Sequence, residues 1–146
     1  MIIYEKLLKQ FQTLLKENSL KFTKQRELIV KFLYENDGHF TPEDIYIQLK
    51  QQNPNINIGI ATVYRTLTLL ESSQISSSIS FGVHGKKYEL GLKRHHDHII
   101  CTKCGDIKEF FDDVIEERQE EIAKEFNFQM TNHTMNIVGL CENCQN

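Results

Sequence analysis

The sequence predicts an α+β chain in two parts: a helix-rich N-terminal part over residues 1–90 that closes with a hairpin, and a small C-terminal α/β part over 91–146. Three observations predict it. Apolar residues recur at helical spacing through the first 70 positions, and short alternating segments follow. All four cysteines and five of the six histidines lie from His84 onward. The charge also changes sign along the chain, with 11 Lys+Arg against 8 Asp+Glu in residues 1–88 and 6 against 12 in 89–146. A basic half joined to an acidic, Cys/His-rich half implies two tasks.

Hydrophobic residues make up 40% and charged residues 25%, with 7 Gly and 2 Pro, which excludes a disordered, collagen-like or coiled-coil chain. No apolar run is long enough to span a bilayer, so no membrane association is expected. The opening MIIYEKLLKQF is too charged for a secretory segment. A cytoplasmic location is therefore expected, where four cysteines serve as metal ligands rather than disulfides.

Tyr4, Leu7, Leu8, Phe11, Leu14 and Leu15 predict an amphipathic helix over 3–17. Thr23 caps a second helix with a core face of Leu28, Ile29, Phe32 and Leu33, ended by Asn36-Asp37-Gly38. Thr41-Pro42-Glu43-Asp44 starts a third helix carrying Ile45, Tyr46 and Leu49: a capping hydroxyl, proline at the first position, then acids on the positive end of the dipole. A fourth begins after Gly59 with the apolar stripe Ile60, Val63, Leu67 and Leu70. Ala61, Tyr64, Arg65 and Thr68 form a second stripe of small, aromatic and cationic groups that suits a major groove. A merely solvated helix face has a similar composition, and the stripe alone does not separate the two.

The following segment does. Ile75, Ile79 and Phe81 lie on one face of a period-2 pattern that Ser77 interrupts, with Ser76, Ser78 and Ser80 on the other. Gly82-Val83-His84-Gly85 turns the chain, and Lys86-Lys87-Tyr88-Glu89-Leu90 returns it. Helix, turn, helix and hairpin make a winged helix-turn-helix, with Lys86 and Lys87 placed to meet phosphate.

In the second part, Cys101-Thr102-Lys103-Cys104 and Cys141-Glu142-Asn143-Cys144 are two Cys-x-x-Cys knuckles, the spacing of a closed four-thiolate structural zinc site. Upstream stands His95-His96-Asp97-His98. In a strand, His96 and His98 point one way and His95 and Asp97 the other, giving two donor pairs on opposite sides. Glu89 and Glu109 are candidates to complete one site, Glu116 and His133 the other. Glu116 also lies three residues after Asp113, where it could complete a capping box for a helix over 113–126. His39, beside Gly38, reads from spacing as a turn residue.

LKFTKQR at 20–26, HFTPEDIY at 39–46, GIATVYRTL at 59–67, GKKYEL at 85–90, HHDHIICTKCG at 95–105 and CENC at 141–144 together resemble the ferric uptake regulator family over nearly the whole chain. The resemblance implies a homodimeric, metal-dependent repressor of metal-uptake genes that binds a palindromic double-stranded DNA operator, has a C-terminal dimerisation domain and acts on no small-molecule substrate. It implies structural Zn²⁺ at Cys101, Cys104, Cys141 and Cys144. It implies a regulatory site of His39, Glu89, His96, His98 and Glu109, and a second dimer-domain site of His95, Asp97, Glu116 and His133. DNA contacts would come from Tyr64 and Arg65 with Ala61 and Thr62 on the recognition helix, from Lys86 and Lys87 on the wing, and from Lys21 in the minor groove. Fe²⁺ is the implied regulatory metal, because peroxide-sensing relatives carry aspartates where this chain has Glu89 and Glu109. Mn²⁺, Co²⁺ or Zn²⁺ suit the same nitrogen and carboxylate donors. A zinc- or peroxide-sensing member of the same family is the alternative. A metallohydrolase lacks support, since there is no His-Glu-x-x-His and the thiolate site has no open position.

Overall fold

A computed structural model describes residues 2–80, 82–91 and 94–146, which divide into two compact units, Met1–Arg94 and His95–Asn146. The first unit runs α1 (Tyr4–Glu17), α2 (Lys24–Glu35), α3 (Pro42–Gln52), α4 (Ile60–Ser72), β1 (Ser76–Ser80) and β2 (Lys86–Leu90). The second runs β3 (Asp97–Cys101), β4 (Ile107–Phe110), α5 (Asp113–Glu125) and β5 (Asn136–Gly139). Among the described residues no helix is long and apolar enough to cross a membrane.

Local chemistry accounts for the helix boundaries. Thr23 accepts from the Arg26 N–H at 3.3 Å. Thr41 and Asp44 form a reciprocal capping box with both bonds at 3.0 Å, and Pro42 sits at the first helical position. Three helices stop at a non-glycine residue in the left-handed region, Ser19 (φ 56), Gln74 (φ 65) and Asn127 (φ 61). In each, the next N–H reaches back to close the last turn, as Ile75 does to the Leu70 carbonyl at 3.0 Å.

The four helices of the first unit share one core of Leu7, Phe11, Ile29, Leu33, Ile45, Leu67 and their neighbours. Ile60, expected in that core, is 38% exposed, and Thr66 is buried instead. As the first residue of α4, Ile60 has no preceding helical turn to pack with.

The hairpin pairs β1 with β2 antiparallel. Its inner face differs from the simple alternation: Ser76 is buried as well as Ile75, while Ile79 is only half-buried. Ser76 stands opposite Leu90 and Ser78 opposite Tyr88, so the small serines leave room for two large buried side chains. Phe81 lies outside the described residues. Gly91 follows β2 where a Cβ would come within 3.0 Å of the Ser76 backbone, so only glycine fits that approach.

The second unit is a three-stranded sheet in the order β4-β3-β5, with β4 antiparallel and β5 parallel to β3. The short, fully exposed strand β5 is not evident from sequence pattern.

Candidate metal centres and nucleic-acid interface

Strand β5 builds the four-cysteine cluster. Its parallel register sets Gly139 against Cys101, and the Thr102 N–H bonds the Gly139 carbonyl at 2.9 Å. The second knuckle, a single 3-10 turn over Glu142–Cys144, is thereby carried up to the first. All four sulfurs lie within 4.8 Å of one another, and Cys104 and Cys141 are 3.8 Å apart. Thiolates about 2.3 Å from a tetrahedral zinc ion stand about 3.8 Å from each other, so the spacing fits. Crowding separates the thiols chemically. Hydrogen bonds from the Cys104 and Cys141 backbone bring Cys101 down to about 6, whereas the Cys141 thiol and burial push Cys144 up to about 12.

On the same sheet, β3 and the segment before it deliver His95 and Asp97, α5 delivers Glu116, and the approach to β5 delivers His133. The His95 and His133 Nε2 atoms are 3.0 Å apart, and each lies 3.2–3.7 Å from a carboxylate oxygen of Asp97 and Glu116. Asp97 is 1% exposed, and neither of its oxygens accepts a hydrogen bond among the described residues. Two buried carboxylate oxygens and two converging imidazole nitrogens form a cation-binding donor set. Glu116 is no helix cap: Asp112 caps α5, accepting from the Val114 and Ile115 N–H groups at 2.9 and 3.1 Å. The capping box expected at Asp113 is therefore absent, and the Glu116 carboxylate serves the cluster.

The residues assigned to a regulatory site divide between the units. In the first, Phe40 and Tyr88 exchange backbone hydrogen bonds at 2.9 and 2.7 Å, which lays the 39–40 segment along β2. His39 Nε2 then meets a Glu89 carboxylate oxygen at 3.0 Å, with both side chains buried. In the second, His98 pairs with Glu109 across β3 and β4. His96 Nε2 lies 3.4 Å from Glu109, and the His96 and His98 rings are 4.7 Å apart.

On α4, the residues Ala61, Tyr64, Arg65 and Thr68 are all exposed, while Val63, Leu67 and Leu70 face the core; Thr62 is half-buried between the two faces. Lys21 is exposed on the arm before α2, where its carbonyl accepts a hydrogen bond from the Arg26 guanidinium. Lys86 forms an ion pair with Glu71 at 3.0 Å, and Glu71 also accepts from Ser78; Lys87 is half-buried on the other face of β2. Sequence reasoning missed Arg26, Glu71 and also Glu43, which accepts the Tyr64 hydroxyl. Glu43 and Glu71 meet Tyr64 and Lys86 across 21 and 15 residues, and Arg26 bonds a backbone carbonyl, none of which spacing reveals.

A sequence profile of the ferric uptake regulator family matches residues 17–138. A ferric uptake regulation protein of Campylobacter jejuni is 52% identical over 143 residues, covering 98% of this chain and 91% of that protein. The structure of the Helicobacter pylori ferric uptake regulator, described as having three functional metal-binding sites, matches with a TM-score of 0.90 at 38% identity, over 99% of this chain and 95% of that one. The Francisella tularensis ferric uptake regulator with iron matches with a TM-score of 0.75 at 39% identity, over 86% and 94%.

Proposed function

The chain belongs to the ferric uptake regulator family, whose members are metal-dependent, dimeric transcription regulators rather than enzymes, and on that premise we propose that it is an iron-responsive repressor of metal-uptake genes, acting in the cytoplasm. The observation that carries the reading is that each unit holds part of a nitrogen and carboxylate donor set: His39 with Glu89, and His96 and His98 with Glu109. Donors on both sides of a linker give a switch. A cation held by all five stabilises one relative arrangement of the DNA-reading and dimer-forming units, and so biases the population that fits DNA.

The four cysteines hold structural zinc and, lying within one unit, cannot set the angle between units. His95, Asp97, Glu116 and His133 hold a further ion in the dimerisation unit. A second copy covers the exposed apolar groups on and just after α5 and β5, among them Val114, Ile122, Phe126, Val138 and Leu140. A symmetric dimer presents two recognition helices, so the operator is a two-fold repeat. Arg65 reads bases with Tyr64, Ala61 and Thr62 beside it, while Lys21, Lys86 and Lys87 contact the backbone and the minor groove.

Titration of duplex DNA with wild type and His98→Ala, with and without Mn²⁺ as a redox-stable stand-in for Fe²⁺, tests the switch. Wild type gains on the order of 5–150-fold in affinity with metal, whereas His98→Ala keeps its zinc and gains nothing. A His98→Ala protein that responds like wild type refutes the mechanism. The same donors suit zinc, so a response to Zn²⁺ at concentrations where Fe²⁺ and Mn²⁺ give none identifies a zinc sensor instead.

A further inference from the structure

Tyr64 stands on the exposed face of α4, 44% exposed as a residue, yet its hydroxyl does not point freely outward. It donates to the carboxylate of Glu43 on the neighbouring α3, and that acceptor is the main reason the phenol lies above its ordinary value. Glu43 is the second residue of α3, where the helix dipole favours a carboxylate. The capping box of Thr41 and Asp44 and the fixed ring of Pro42 make that turn rigid. Next to it, the Thr68 hydroxyl is turned inward along α4, donating to the Tyr64 backbone carbonyl at 2.9 Å, so it does not compete for Glu43.

A phenol has a single hydrogen to donate. Here that hydrogen is committed to Glu43, so Tyr64 has no donor left for a base or a phosphate and meets a partner chiefly with its ring. A side chain with two rotatable bonds is thereby held in one position, which removes the entropy it would otherwise lose on docking. The arrangement also has a cost. The first helix of a helix-turn-helix crosses the DNA backbone, and a carboxylate at its start repels phosphate. An acid at that position weakens DNA binding unless it has a compensating role.

We propose that Glu43 is a positioning residue for operator reading: it fixes the Tyr64 ring as an apolar wall against base edges, of the kind that accepts a thymine methyl, and trades general DNA affinity for sequence discrimination. The proposal rests on the DNA-binding reading above and assigns a role to a residue outside the DNA-contacting set.

The test compares wild type, Glu43→Gln, Glu43→Ala, Tyr64→Phe and the Glu43→Ala/Tyr64→Phe double variant. The probe is a duplex selected from a random pool by the Mn²⁺-loaded wild-type dimer, with a scrambled duplex as competitor. Glu43→Gln keeps an acceptor and loses the charge, so it binds both duplexes more tightly with the ratio between them unchanged. Glu43→Ala loses the acceptor, and the ratio falls roughly three- to tenfold, the span of one hydrogen bond. Tyr64→Phe falls by the same factor, and the double variant falls no further than either single one. Equal ratios for wild type and Glu43→Ala overturn the proposal. So does a Glu43→Gln protein as indiscriminate as Glu43→Ala, which would make the effect one of charge alone. A further loss on adding Tyr64→Phe to Glu43→Ala means that the hydroxyl itself touches DNA, and also overturns it. A wild type that selects no duplex at all fails at the earlier step and removes the DNA-binding reading itself.

Discussion

Replacing Asp97 by Asn should move stability in opposite directions with and without metal. The five measured separations among His95, Asp97, Glu116 and His133 average about 3.4 Å. A tetrahedron of that edge has its centre about 2.1 Å from each donor, which is the length of a zinc–nitrogen or zinc–carboxylate bond. Removing a charged ligand should cost at least the roughly 100-fold in affinity that outer-shell changes can cost. That factor is about 2.7 kcal/mol of metal-linked stability, or about 10 °C in melting midpoint for a chain of this size. Without metal, the substitution relieves a fully buried carboxylate that accepts no hydrogen bond among the described residues, so the variant should be more stable than wild type by about 1 kcal/mol. The assay is thermal melting at about pH 8, where free imidazole is neutral, with chelator and then with excess Zn²⁺. The two curves should cross. A variant that melts below wild type in both conditions, with the same gain from metal, would show that Asp97 is an ordinary structural acid and that the four residues hold no ion.

With Cys101 brought down to about 6 and Cys104 and Cys144 raised above an ordinary thiol by their neighbours, zinc uptake near pH 7 should release at least two protons per chain and tighten as pH rises. Calorimetry in buffers of different ionisation enthalpy measures this, and no proton release contradicts the four-thiolate site. Lys86→Gln removes one phosphate contact and should flatten the salt dependence of DNA binding by about 0.9 in log–log slope; an unchanged slope means that Lys86 stays with Glu71 and does not meet phosphate. Gln74→Gly removes a left-handed penalty at the end of α4 and should raise stability by about 0.5–1 kcal/mol in chemical denaturation, whereas a lower midpoint would contradict the closing-turn account.

The helices of the first unit were readable because each carries its own signals: a capping Thr before α2 and α3, proline at the start of α3, and an apolar stripe in every helix. The alternation of His95 to His98 and the two Cys-x-x-Cys knuckles sorted the metal donors for a similar reason, since their geometry is local. What could not be read depends on contacts between distant residues. His39 meets Glu89 through the Phe40–Tyr88 bridge, which no spacing announces. Strand β5 has four exposed residues and no alternation, yet its register brings the two knuckles together. The capping box expected at Asp113 failed because Asp112, one residue earlier, offered its carboxylate to the same turn. The hairpin's inner face was misjudged because β2 supplies the bulk and β1 only the space for it.

The uneven distribution of core between the units has a consequence for how the protein matures on the ribosome. Among the described residues of 95–146, Ile100 and Cys101 are the buried hydrophobics, and α5 buries none. The first unit can collapse around its own core once Leu90 has emerged, since chains fold from the N-terminus as they are made. The second must wait for Cys141 and Cys144, for its metal and for another copy of itself. A nascent chain therefore displays a finished recognition helix before anything that can govern it. On the two-fold operator proposed above it reaches only one half at that stage, so repression and its control would arrive together, at assembly.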